Sequence, residues 1–121
     1  MTAEKALYKF YNSFGIPAYP ETSVPEDAGF PRITYDFAAG SFDDAPVYLT
    51  ANVWYKTESE SIPTEKAAEI GNAIGFNGVI LPVDGGAIWL TRGSPFLRAV
   101  PDDDDTIKRR CLNITAEFFT E

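Results

Sequence analysis

Val47-Tyr48-Leu49-Thr50-Ala51-Asn52-Val53-Trp54-Tyr55-Lys56 is the stretch on which the fold turns. Val47, Leu49, Ala51, Val53 and Tyr55 alternate with Tyr48, Thr50, Asn52, Trp54 and Lys56, and a period of two sends one set to a core and the other to the opposite face of a sheet. The second set mixes large aromatic rings with polar groups, which predicts a half-buried face. The same alternation returns near the end of the chain, where Leu112, Ile114, Ala116 and Phe118 interleave with Cys111, Asn113, Thr115 and Glu117. Upstream, Ile33, Tyr35 and Phe37 alternate with Thr34 and Asp36, and the Ala39-Gly40-Ser41 segment with Asp43 and Asp44 separates them from Val47. Two antiparallel strands joined by a loop fit this pattern. Downstream, Val79 to Val83 and Ala87 to Thr91 flank Asp84-Gly85-Gly86, a tight hairpin turn. Pro82 has no N–H for a ladder and marks an edge strand or a bulge. Arg92-Gly93-Ser94-Pro95 and an acidic loop then lead into the last strand.

Two helices complete the pattern. Ala3, Leu7, Phe10, Tyr11 and Phe14 recur at steps of three and four, with Gly15 as a C-cap and Pro17 preventing continuation. Ser59, Ser61, Pro63 and Thr64 form a start signal for a second helix through Ala67, Ile70, Ala73 and Ile74, ending near Gly75. Residues 16–31 hold Pro17, Pro20, Pro25, Gly29 and Pro31 and read as a long surface connection without regular structure. The expectation is one α+β domain over residues 1–121, with two helices packed on a mostly antiparallel sheet of about five strands.

Composition narrows the function. Hydrophobic residues make up 45% of the 121, aromatics 14% and charged residues 23%, enough apolar material for one core. The net charge of −8 and a pI near 4.4 offer no broad basic surface for phosphate neutralisation and disfavour tight nucleic-acid binding. The absence of histidine removes Ser-His-Asp and Cys-His catalysis. One cysteine, Cys111, excludes an internal disulfide. The first fourteen residues carry Glu4, Lys5, Lys9 and Asn12 rather than an apolar export signal, and no window approaches the ~18 apolar residues of a membrane span. A soluble, unexported protein without membrane contact is expected.

Several groupings invite chemistry. Asp102, Asp103, Asp104 and Asp105 offer carboxylates for Mg²⁺ or Ca²⁺, but consecutive side chains diverge, and a solvated acidic loop is the plainer reading. Asp84-Gly85-Gly86 has a strand rather than a helix after it, so it reads as a turn and not a phosphate loop. Arg92, Arg98, Lys108, Arg109 and Arg110 form a basic group that meets either a phosphate or acidic partner, or the aspartate run within the same chain. Cys111 lies in a strand and reads as a packed thiol. The glycosylation sequon at Asn113 is a three-residue chance match. Trp54, Trp89, Tyr48 and Tyr55 form either a ligand-stacking platform or a sheet face used for packing and subunit contact.

Taken in order, Tyr11-Asn12-Ser13-Phe14-Gly15-Ile16-Pro17-Ala18-Tyr19, Val24-Pro25, Pro31-Arg32-Ile33-Thr34-Tyr35, Trp54-Tyr55, Asp84-Gly85-Gly86, Arg92-Gly93-Ser94-Pro95 and the closing strand from Arg109 to Phe118 resemble the tail-terminator or tail-completion proteins of the neck of long-tailed bacteriophages and prophages. The resemblance implies a structural virion protein, not an enzyme, without cofactor or metal. It further implies assembly as a homo-oligomeric ring, usually a hexamer, that caps the tail tube protein and joins it to the head-tail connector or head-closure protein while DNA passes through the centre. Such a protein is assembled in the host cytoplasm and resides in the virion neck.

The resemblance supplies no contact residues. From this sequence alone, the interface candidates are Pro17, Tyr19, Val24, Phe42, Tyr48, Trp54, Trp89 and Arg92, with residues 16–31 or 40–44 as contact loops. Asp102 to Asp105 are candidates for a channel-facing loop that repels DNA. The alternatives are a head-closure or other neck protein, a carboxylate-rich metal-binding domain, and a peptide-binding module.

Overall fold

The computed structural model describes residues 1–120. Strands β1 (Ala18–Pro20), β2 (Arg32–Tyr35), β3 (Val47–Lys56), β4 (Val79–Val83), β5 (Gly86–Val100) and β6 (Ile107–Thr120) form one sheet in the order β1-β2-β3-β6-β5-β4. Every pairing is antiparallel except β1 with β2. Helix α1 (Ala3–Tyr11) continues into a 3-10 turn at Asn12–Phe14, and helix α2 is Ser61–Ile74.

Alternation builds the core as expected. Leu49, Ala51 and Val53 of β3 pair with Ile114, Leu112 and Arg110 of β6, and all six are buried. Ile33, Tyr35, Ile88, Leu90, Ala116 and Phe118 extend this face on the neighbouring strands. Both helices cover it. Helix α1 buries Ala6, Leu7 and Tyr11, and the Tyr11 ring stacks on Tyr35 at 4.5 Å. Helix α2 buries Pro63, Ala67, Ile70 and Ile74. Lys66 of α2 donates to the carbonyl of Phe14 at 2.7 Å, tying the two helices together.

Four expectations are corrected. Residues 16–31 are not without regular structure: β1 adds a sixth strand, followed by a 3-10 turn at Glu21–Ser23. Its cause is a side chain rather than a periodicity. Asn12 accepts from the N–H of Ala18 through Oδ1 and donates through Nδ2 to the carbonyls of Ala18 and Tyr8. The chain leaving the helix is thereby clamped beside β2, where Ile33 donates to the carbonyl of Pro17.

The second correction concerns Arg92-Gly93-Ser94-Pro95, which lies inside β5 rather than after it. The four residues between Arg92 and Leu97 face the single residue between Ile114 and Leu112, so the strand bulges and resumes. Asn113 donates to the carbonyl of Pro95, and a Cβ on Gly93 would lie 2.9 Å from the carbonyl oxygen of Asn113, so the bulge is drawn onto β6. Third, β6 begins at Ile107, ahead of the start at Cys111 that alternation gave and at Arg109 that the resemblance gave. Fourth, β2 ends at Tyr35, leaving Phe37 outside the sheet.

The hairpin matches its reading. Val83 pairs with Gly86, and Gly85 takes φ +81°, a left-handed conformation suited to glycine. Pro82 lies on β4, which is an edge strand.

Leu112 is fully buried in the central strand, so Leu112→Ala is expected to cost about 2–5 kcal/mol. Thr115→Ala, on the opposite face of the same strand, is expected to stay within about 0.5 kcal/mol. Urea unfolding midpoints at unchanged slope check both.

Candidate functional site

The helices cover one face of the sheet, and the alternate residues of each strand make up the other. Register places Val100, Arg109, Trp54 and Arg32 in one row across β5, β6, β3 and β2. The next row holds Arg98, Cys111, Asn52, Thr34 and Tyr19. Further along lie Asn113 and Thr50, then Thr91, Thr115 and Tyr48, then Glu117, Trp89 and Ile80.

Of the interface candidates, Tyr19, Tyr48, Trp54 and Trp89 thus share this open face. Tyr55 belongs to the helix side and does not join them. Phe42 lies in the loop before β3, with its ring near Gly85 and Gly86. Val24 ends the 3-10 turn after β1, Pro17 precedes β1, and Arg92 is exposed at the bulge. The expected half-burial holds for Thr50 and Trp54 but not for Tyr48, whose relative exposure is 80%.

At one end the face is cationic and aromatic. The guanidinium of Arg109 lies 4.9 Å from the centre of the Trp54 ring, and that of Arg32 lies 5.5 Å from it and 4.4 Å from the Phe30 ring. Such contacts hold a guanidinium in place without neutralising it. Hydrogen bonds fix the stack from beneath: the Trp54 indole donates to Oγ1 of Thr34, and Nε of Arg109 donates to Oδ1 of Asn52. Arg32 donates through Nη1 to the carbonyl of Gly29, while its buried Nε has no partner among the described residues.

The other end is apolar. Trp89 packs against Phe119 at 6.4 Å between ring centres and donates to the carbonyl of Asn77. Beside it Ile80 is 65% exposed on the edge strand. A separate groove of about 360 Å³ runs between α1 and β4, lined by Met1, Ala6, Lys9, Phe10, Leu81 and Pro82 among others.

The charge balance differs from the expected pairing of basic residues with the aspartate run. Glu60, just before α2, takes both Arg110 at 2.7 Å and Lys108 at 3.4 Å. Arg110 is buried on the helix side, and its remaining donors reach Oγ1 of Thr64 and the carbonyls of Arg109 and Glu60. A buried guanidinium requires such complete pairing. Hydrogen bonds from Arg110 and then Lys108 hold the Glu60 carboxyl below the usual carboxylate range.

The aspartate run forms a local turn. Asp102 accepts from the N–H of Asp104, and Asp104 accepts from the N–H and hydroxyl of Thr106, which lowers its own pKa. Asp102 to Asp105 are exposed at the tip of the β5–β6 connection. Among the described residues no three His, Cys, Asp or Glu side chains converge as a metal cage, and no helix is long and apolar enough to cross a membrane.

Of the arginines on the open face, Arg98 and Arg109 belonged to the basic group read from the sequence, and Arg32 did not. Arg32 was legible, because alternation with Ile33 puts it on the face away from the core. What the sequence did not show is that Arg109 and Arg110 point to opposite faces of β6, the first to Trp54 and the second to Glu60. Compared with known proteins, the chain matches no family model and no curated protein sequence.

Because its pKa is lowered on folding, Glu60 contributes stability that is full above its unfolded pKa and is lost as pH falls through the folded one. The stability advantage of the native chain over Glu60→Gln is therefore expected to be largest near neutrality and to vanish in acid. Urea midpoints of both proteins across the acidic range check this, and a pH-independent gap would exclude the ion pairs as its source.

Proposed function

We propose that this chain is a structural subunit of a phage tail neck, of the tail-terminator or tail-completion kind. Several copies form a ring that caps the tail tube and joins it to the head-side connector, with DNA passing through the centre. The ordered resemblance of its motifs supports the tail assignment. The observation that carries the assembly reading is the open sheet face, on which Tyr19, Tyr48, Trp54 and Trp89 are arrayed. Interfaces are enriched in Tyr, Trp and Arg, and here these residues sit on rigid paired strands rather than on loops. Contact residues held this way lose little side-chain entropy on docking.

The chemistry of the reading is association, not turnover. Hydrophobic contact through Tyr48, Trp89, Phe119 and Ile80 supplies buried area, and the charged end of the face supplies orientation. A head-closure protein of the adjacent ring shares these features and differs by position in the virion.

Native mass of the purified chain over a wide concentration range, with and without tail tubes lacking a terminator, tests the reading. A ring, alone or on tubes, is the expected outcome. A monomer indifferent to tubes would overturn it and favour a peptide-binding module using the groove between α1 and β4.

A further inference from the structure

Arg32, Arg98 and Arg109 stand out in a chain of net charge −8. All three lie on the open sheet face in two adjacent rows around Trp54. The ion pairs among the described residues join Met1 to Asp84, Lys66 to Glu69, and Lys108 and Arg110 to Glu60, so none of the three arginines has a carboxylate partner. Neither row contains an aspartate or glutamate. Trp54 and Phe30 hold the guanidinium groups of Arg32 and Arg109, and the buried Nε of Arg32 is a donor without an acceptor among the described residues. A cationic surface this well anchored and this poorly neutralised calls for an acidic group from outside the chain.

We propose that the Arg32–Trp54–Arg109 surface, with Arg98, is a carboxylate-binding site whose occupant is the Asp102–Asp105 loop of a second copy of this chain. The loop presents four consecutive carboxylates, exposed in the free chain, and in that chain none of them pairs with these arginines. Charge complementarity selects this occupant. The complementarity is local, three arginines without a carboxylate partner on one surface and four exposed aspartates on the other.

Placement agrees with the charges. The loop projects from the end of the sheet beyond Val100 and Ile107, and the arginines lie on the broad face at that same end. Loop of one copy on face of the next is a head-to-tail contact between different surfaces, the kind that closes into rings when the rotation permits. The aspartates then bind between neighbours rather than lining the channel. This inference rests on the ring reading and specifies its contact.

The test uses the full chain with tail tubes present, and reads self-association by sedimentation at low and high salt. Arg98→Glu and the double change Asp103→Lys/Asp105→Lys alter exposed side chains, so both variants keep the fold; Arg109→Glu is added with its unfolding midpoint as a control. Each single-sided change is expected to weaken association on the order of tenfold or more, added salt to do the same to the native chain, and the two reversals combined in one chain to restore it. If the native chain forms rings and both single-sided variants form them equally well, this contact is wrong and the ring reading survives. If the native chain forms no ring with or without tubes, both fall. A duplex DNA fragment bound through Arg98 with no effect of Asp103→Lys/Asp105→Lys would assign the surface to phosphate instead and overturn the proposal.

Discussion

The unbroken antiparallel pairing of β3 with β6, from Val47 opposite Ala116 to Lys56 opposite Ile107, is the constraint on which the other features of the molecule depend. It joins the two outer parts of the sheet, β1-β2 on one side and β5-β4 on the other. A slip of one residue would turn one strand over against the other, sending Leu49, Ala51 and Val53 to the open face and bringing Asn52 and Trp54 under the helices. The hydrophobic cost of that exchange fixes the register. The same register fixes the surface, since Trp54 meets Arg109 only because Ala51 meets Leu112.

Side chains, not further periodicity, attach the remaining pieces to this pair. Asn12 ties the exit of the first helix to β1, and Asp36 receives the N–H and hydroxyl of Thr50 at the end of β2. Asn113 draws in the bulge of β5. The buried Arg110, held by Glu60 and Thr64, links β6 to the start of α2. Asn12, Asp36 and Asn113 act where the backbone leaves regular pairing, so donors and acceptors there are met locally, while Arg110 reaches from within β6 to the carbonyl of Glu60.

Much of this was legible in the residues. Alternation over residues 47–56 and 111–118 placed the central strands and the split between their faces, and Asp84-Gly85-Gly86 with Pro82 placed the hairpin and the edge. β1 was not legible, because three residues ending in proline carry no period and its cause is an asparagine from another element. The continuation of β5 was hidden because the bulge breaks the alternation at Arg92, and Gly93 and Pro95 look like a stop. At the surface, the aromatic residues were found because they are large and rare. Arg98 and Arg109 were read only as part of a basic run that meets either an outside partner or the neighbouring acidic run, and only the fold shows Glu60 taking Lys108 and Arg110 while Arg109 turns the other way.

The two faces therefore do different work: one stabilises the domain and the other is left available, rigid and rich in contact residues. Oxidative footprinting of Tyr48 and Trp54, in the free chain and after capture on tail tubes, tests this division most directly. Strong protection of both residues on assembly is expected, while the exposed Phe76, beyond α2, stays as reactive as in the free chain. Equal reactivity of Tyr48 and Trp54 before and after capture would contradict it.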